Sequence, residues 1–107
     1  MTEKYTLLIG LNDKDTKTQL VNTLEAYKMI MNVIKNYTDG ATTYEAFGYY
    51  KHENGEMVEE KSLHVEILYF DDSEAKEKTK QIVKTIKTIL NQETVAVTYS
   101  KVESDLW

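Results

Sequence analysis

Two histidines with a glutamate close by are the side chains in this sequence best suited to chemistry. His64 and Glu66 are two residues apart, so on a β-strand both side chains point to the same face. His52 directly precedes Glu53. A histidine beside a carboxylate can move a proton, ligate a metal or hold a polar ligand. Neither pair has a recognisable nucleophile or a set of metal ligands around it, so we interpret both as ligand contacts, with no metal and no cofactor.

Aromatic rings and lysines are the other groups from which a binding site could be built. Tyr49 and Tyr50 lie next to His52 in a chain with eight tyrosines, and these rigid, amphipathic rings suit ligand and partner contacts. Lysines also recur at helical spacing. They are Lys76, Lys80, Lys84 and Lys87. Such a row either contacts phosphates or is a solvated helix face.

Composition excludes several classes of protein. The 107 residues carry 18 acidic and 13 basic side chains, a net charge of -5, which argues against a duplex nucleic-acid-binding protein. The absence of cysteine excludes disulfides, thiolate metal sites and thiol nucleophiles. No apolar run approaches the length that crosses a bilayer. We therefore expect a cytoplasmic protein with no membrane partner. Asp15 or Thr16 is expected to cap the first helix, and Asp13 and Asp15 are interpreted as capping and solvated residues and not as a cation site.

A long β-hairpin is the clearest structural signal. Two runs rich in β-branched and aromatic residues, 41–51 and 57–70, flank a polar turn that contains Asn54-Gly55, which is typical of a hairpin. Residues 4–11 and 93–102 alternate as strands do. These four strands are expected to position the histidines.

Apolar spacings of three and four predict two helices. The first runs from 17 to 37. Its inner face is expected to consist of Leu20, Leu24, Tyr27, Met31 and Ile34, with Val21, Ile30 and Val33 widening the stripe. The second extends to about Asn91 and begins with Asp71 and Glu74 in capping-box register.

The resulting order of strand, helix, strand, strand, helix, strand predicts a single α+β domain over 1–107. Its fold is ferredoxin-like, βαββαβ, with a four-stranded antiparallel sheet and both helices on one face. The other face, which carries His64, Glu66, Leu68 and Phe70, must then meet solvent, a ligand or another subunit.

Three short motifs resemble an uncharacterised bacterial family of unknown function, which shows Asp-Gly-x-Thr, Gly-x-aromatic and Gly-x4-Glu-x-Ser in this order. In this chain they are Asp39-Gly40-Ala41-Thr42, Gly48-Tyr49-Tyr50 and Gly55-Glu56-Met57-Val58-Glu59-Glu60-Lys61-Ser62. More distantly, the element order and the run Leu63-His64-Val65-Glu66-Ile67 are similar to the PII-like and CutA-like trimeric proteins. Both resemblances imply a fold and assign no site.

These features predict a non-enzymatic binding protein that forms a homo-oligomer, either a dimer or a trimer. It would bind a small anionic, nucleotide-like ligand through Tyr49, Tyr50, His52, His64 and Glu66. One alternative is a protein-interaction module or inhibitor of the kind that phages and mobile elements encode. Another is an enzyme that uses His64 and Glu66 on the open face of the sheet.

Overall fold

The computed structural model describes all 107 residues and contains four strands and two helices. In chain order these are β1 (Thr2–Gly10), α1 (Thr23–Ile34), β2 (Thr42–Lys51), β3 (Met57–Phe70), α2 (Ala75–Ile89) and β4 (Ala96–Val102). All neighbouring strands are antiparallel, in the order β2-β3-β1-β4. The predicted ferredoxin-like fold is confirmed.

The core lies between the two helices and one face of the sheet. Alternate residues of the central strands, such as Leu7 and Val65, are fully buried, because successive side chains of a strand point to opposite faces. Ile30 of α1 and Ile82 of α2 are buried against them. Each such aliphatic side chain contributes roughly 1.5–3 kcal/mol when it leaves water. The core therefore fixes which face of each strand remains open.

The first helix begins later than its apolar spacing predicted. The carboxylate of Asp13 accepts hydrogen bonds from the backbone N–H groups of Asp15 and Thr16, and Lys17 has a φ of 62°. A side chain that satisfies nearby N–H groups in this way favours a turn over a helix. The helix instead starts after Asn22, whose side chain accepts from the Glu25 N–H at 2.9 Å.

This later start changes the buried face of α1. Leu20, Leu24 and Tyr27, predicted to be core residues, are 63%, 62% and 41% exposed. The buried residues are Ala26, Ile30, Val33 and Ile34. The predicted inner face was thus wrong at Leu20, Leu24 and Tyr27 and right at Ile30, Val33 and Ile34.

The start of α2 also differs from the predicted capping box. Asp72, and not Asp71, accepts a hydrogen bond from the Glu74 N–H, and its carboxylate also binds Lys78 Nζ at 2.6 Å. The bond from Lys78, followed by the one from Glu74, lowers the pKa of Asp72 below its ordinary value. Asp71 instead has a φ of 47° and binds the amino group of Met1.

The β2-β3 hairpin extends past the rest of the sheet. β3 pairs with β1 from Phe70 back to Ser62, whereas residues 57–61 pair with β2 alone. Gly55 closes the turn with a φ of 88°, a conformation that glycine adopts without a steric penalty. The hairpin thus projects beyond β1 at one end of the sheet.

Candidate functional site

The open face of the sheet carries the polar side chains that the core excludes. In the register of the two central strands, Leu8 lies opposite His64, Thr6 opposite Glu66, and Gly10 opposite Ser62. These positions alternate with the buried ones. The face is therefore mixed, with polar groups near the hairpin and apolar groups at the other end.

A concave region of about 1070 Å³ occupies the hairpin end of this face. Leu8 and Gly10 of β1 contribute to it, and the hairpin contributes Tyr50, Val58 and Glu60. The loops before α1 and before β4 also contribute, with Asn12, Asp13, Lys14, Lys17, Gln92, Glu93 and Thr94, and the hairpin turn adds Lys51, His52, Glu53, Asn54 and Glu56. Its size is sufficient for a nucleoside or a similar small molecule.

The carboxylate of Glu60 is held against the backbone of Gly10. A Cβ placed on Gly10 would lie 2.5 Å from both carboxylate oxygens of Glu60, so only glycine leaves room for this contact. One oxygen, Oε2, accepts a hydrogen bond from the Asn12 N–H at 2.9 Å. The carboxylate therefore has a fixed position within the concave region.

The loop that supplies Asn12 is itself fastened to the loop after α2. The buried Gln92 side chain donates from Nε2 to the Asn12 carbonyl at 2.7 Å, and Asn91 Nδ2 donates to Asp13 Oδ1 at 2.8 Å. The hydrogen bond from Asn91 is the main reason why the pKa of Asp13 lies below its ordinary value. These bonds join two distant loops into one rim.

The structure brings two of the predicted site residues together and separates a third. The rings of Tyr50 and His52 meet edge to face, with centroids 5.2 Å apart, and both residues line the concave region. Tyr49 points to the opposite face of the hairpin, where it is 72% exposed. Adjacent tyrosines in a strand thus serve different surfaces.

The remaining two predicted residues lie farther along the open face. The ring of His64 packs on Tyr44 of β2, with centroids 5.2 Å apart. Glu66 forms an ion pair with Lys4, with 3.1 Å between Glu66 Oε1 and Lys4 Nζ. Neither lines the concave region itself, although His64 is opposite Leu8, which does.

The charge of the concave region is negative. Its lining contains five carboxylates, Asp13, Glu53, Glu56, Glu60 and Glu93, and three lysines, Lys14, Lys17 and Lys51. No three His, Cys, Asp or Glu side chains in the structure are grouped so as to hold a metal ion. The carboxylates and the rings of Tyr50 and His52 are the contacts that this region offers to a small molecule.

Glu60 and Asn12 were not among the predicted site residues. Asn12 and Glu60 are 48 positions apart, a separation that no local pattern can bridge. Two features of the sequence nevertheless bear on them. Glu60 and Ser62 are fixed positions of the third motif. A glycine within a strand, such as Gly10, more often marks a bulge or a close approach of two segments than a phosphate site, and the structure shows a close approach to Glu60.

Residues 4–106 match the model of a family described as a protein of unknown function, DUF3574. The chain belongs to this family, which confirms the resemblance seen in its motifs. No curated protein matches the chain. No helix in the structure has the length and apolar character needed to cross a membrane.

Two solved structures illustrate the fold. A phage SAM lyase in complex with S-methyl-5'-thioadenosine has a TM-score of 0.75 and 19% identity, with 94% of this chain and 81% of the lyase chain covered. The periplasmic divalent cation tolerance protein CutA from Archaeoglobus fulgidus has a TM-score of 0.64 and 12% identity, with 99% and 88% covered. At these identities the likeness concerns the fold.

Proposed function

We propose that this member of the DUF3574 family binds a neutral or positively charged nucleoside-type ligand in the concave region of its open sheet face. The observation that carries the proposal is the placement of the Glu60 carboxylate. It is held against Gly10 in a region that also contains the rings of Tyr50 and His52. Aromatic rings and a fixed polar group are what a base and its sugar require.

The charge of the region refines the expectation formed from the sequence. An anionic ligand would meet five carboxylates against three lysines, and like charges at short range oppose binding. A neutral nucleoside, or one with a positive group, meets no such opposition. The proposed ligand is therefore nucleoside-like, as the tyrosines suggested, but it is not an anion.

The structural neighbour supports this ligand class. The phage SAM lyase was solved with S-methyl-5'-thioadenosine, a neutral nucleoside, and S-adenosylmethionine itself carries a positive sulfonium. Both molecules meet the requirements set by Tyr50 and Glu60. We take these two compounds as the probes.

We further propose that the binding protein is a homo-oligomer. Leu68 and Phe70 lie at the apolar end of the open face and are 44% and 49% exposed. Apolar side chains grouped on one face favour a subunit contact. The concave region lies at the other end of the same face, so such a contact would leave it open.

Calorimetric titration of the purified protein with each probe tests the binding proposal. We expect S-adenosylmethionine and S-methyl-5'-thioadenosine to bind, and ATP to bind more weakly because of its charge. The substitution Tyr50→Ser should lower affinity for both probes by roughly tenfold, since a base-to-ring contact contributes about 1–3 kcal/mol. Glu60→Gln should weaken binding of the cation more than that of the neutral nucleoside.

Tyr49→Ser is the matched control, because Tyr49 is the adjacent tyrosine on the opposite face of the same strand. It should leave the affinity unchanged. Tighter binding of ATP than of either probe would contradict the proposal. An equal loss of affinity in both tyrosine variants would do so as well.

One observation favours the protein-interaction alternative. Phe47 and Tyr49 project from the hairpin on the face away from the concave region and are 79% and 72% exposed. Exposed aromatic residues on a projecting hairpin are typical of partner contacts. Retention of a partner by the parent protein and its loss in Phe47→Ser would identify that function.

A further inference from the structure

A second groove lies on the helix side of the molecule, between α2 and β4. Its volume is about 480 Å³, and apolar groups from Val83, Val97 and Tyr99 line it. Four lysines of α2 also line this groove, and no aspartate or glutamate does. They are Lys76, Lys80, Lys84 and Lys87. The groove is therefore both apolar and positively charged.

These four lysines have no partners within the chain. None of them takes part in an ion pair, whereas Lys78 on the same helix binds Asp72. The net charge of the whole chain is -5, so the groove is a positively charged region on a negatively charged protein. On its β4 side the ring of Tyr99 stacks on Tyr5 with centroids 5.4 Å apart and is 64% exposed, which leaves an aromatic surface free.

The tail after β4, residues 103–107, has the opposite character. It contains Glu103 and Asp105, and then Leu106 and Trp107, the only tryptophan of the chain. Leu106 is 88% exposed, and Trp107 is fully exposed. An exposed leucine and tryptophan next to each other are an unusually large apolar surface for so short a segment.

We propose that residues 105–107 of one copy of the chain dock in the α2/β4 groove of a second copy. The carboxylate of Asp105 matches the lysines in charge, and the side chains of Leu106 and Trp107 match the apolar lining and the free ring of Tyr99. Lysine ammonium groups near an indole add a favourable cation–π contact. The tail and the groove are thus complementary in charge and in apolar character.

The tail is poorly placed to enter its own groove. The Ser104 hydroxyl is hydrogen-bonded to Thr2 at the end of the sheet. The three residues that follow span at most about 10 Å, which is less than the roughly 17 Å of extended chain that separates Ser104 from Tyr99. Residues 105–107 would also have to turn back along β4 directly after Ser104. A second copy can approach without either constraint.

The fluorescence of Trp107 tests the proposal directly, because no other tryptophan contributes to the signal. We expect the emission to shift to shorter wavelength as the protein concentration rises from micromolar to millimolar. Quenching by acrylamide should fall over the same range. In Lys80→Glu/Lys84→Glu the ring should stay exposed at every concentration, and adding Asp105→Lys to that variant should restore the shift.

Lys28→Glu/Lys35→Glu on and after α1 is the control, since it changes the net charge equally and lies outside the groove. It should behave like the parent, and circular dichroism should show that all variants are folded. Trp107 emission at short wavelength at every protein concentration would place the tail in its own groove and overturn the proposal. Full exposure of Trp107 in the parent at millimolar concentration would also overturn it.

Discussion

At the scale of single residues, the candidate site depends on the presence of a glycine at position 10, which has no side chain. The absence of a Cβ at Gly10 leaves the space in which the Glu60 carboxylate lies. The same carboxylate accepts the hydrogen bond of the Asn12 N–H. One small residue therefore determines where the charge in the concave region is placed.

Gly10→Ala should displace this carboxylate. The new methyl group meets only the end of a flexible side chain, so the protein should still fold and lose about 1 kcal/mol for the broken hydrogen bond. Binding of S-adenosylmethionine should fall in parallel with that of Glu60→Gln. Urea denaturation and calorimetry measure the two effects.

Gly48→Ala provides the comparison, because Gly48 also lies within a strand but a Cβ there meets nothing within 4 Å. Its affinity should equal that of the parent. If Gly10→Ala bound the probe as well as Gly48→Ala does, the position of Glu60 would not matter for binding.

The sequence predicted single-residue features only where they depend on residues close together in the chain. The turn at Gly55 and the pairing of the hairpin followed from neighbouring residues. The contact between Gly10 and Glu60 joins two strands that are far apart in the chain. The sequence alone therefore could not identify Glu60 as the residue that Gly10 contacts. Likewise, the opposite orientations of Tyr49 and Tyr50 follow from strand geometry, but which of them faces the site depends on the register.

At the scale of elements, α1 shows how a polar turn competes with a helical pattern. The apolar residues from Leu20 onward have helical spacing, yet Asp13 and Asn22 determine where the turn and the helix begin. Because the helix starts at Thr23, its first apolar residues face solvent. Periodicity predicted the helix and its buried residues Ile30, Val33 and Ile34, but not where the helix begins or that Leu24 is exposed.

Two substitutions in α1 test which residues of the predicted inner face are in the core. Ile30 is fully buried, so Ile30→Ala should lower the free energy of unfolding by about 2–5 kcal/mol. Leu24 is 62% exposed, so Leu24→Ala should cost less than about 1 kcal/mol. If chemical denaturation gave equal losses in the free energy of unfolding for Ile30→Ala and Leu24→Ala, the assignment of the buried face of α1 would be wrong.

At the scale of the whole molecule, two buried tyrosines connect the fold to pH. Tyr5 and Tyr69 pack edge to face with centroids 5.5 Å apart, and burial is the main reason why the pKa of each is raised above its ordinary value. The unfolded chain therefore loses these protons first. The stabilisation from the two hydroxyls is complete below the ordinary tyrosine pKa and is lost as the pH rises through the raised value.

We therefore expect the free energy of unfolding to begin to fall as the pH approaches the ordinary tyrosine pKa of about 10 and to keep falling until the pH passes the raised pKa of the two tyrosines. In Tyr69→Phe the decline should be shallower, although this variant is less stable at neutral pH because the hydrogen bond to Thr79 is lost. Tyr49→Phe, at an exposed position, should decline as the parent does. Equal slopes in all three proteins would contradict this role of Tyr69.

Backbone NMR of the labelled protein tests whether the concave region of the open face binds a nucleoside-type ligand. On addition of S-methyl-5'-thioadenosine, we expect the amide signals of Gly10, Asn12, Tyr50 and Glu60 to shift. The signals of Lys80, Lys84 and Tyr99 beside the α2/β4 groove should not move. Shifts confined to that groove, or none at all at saturating nucleoside, would contradict the proposed binding.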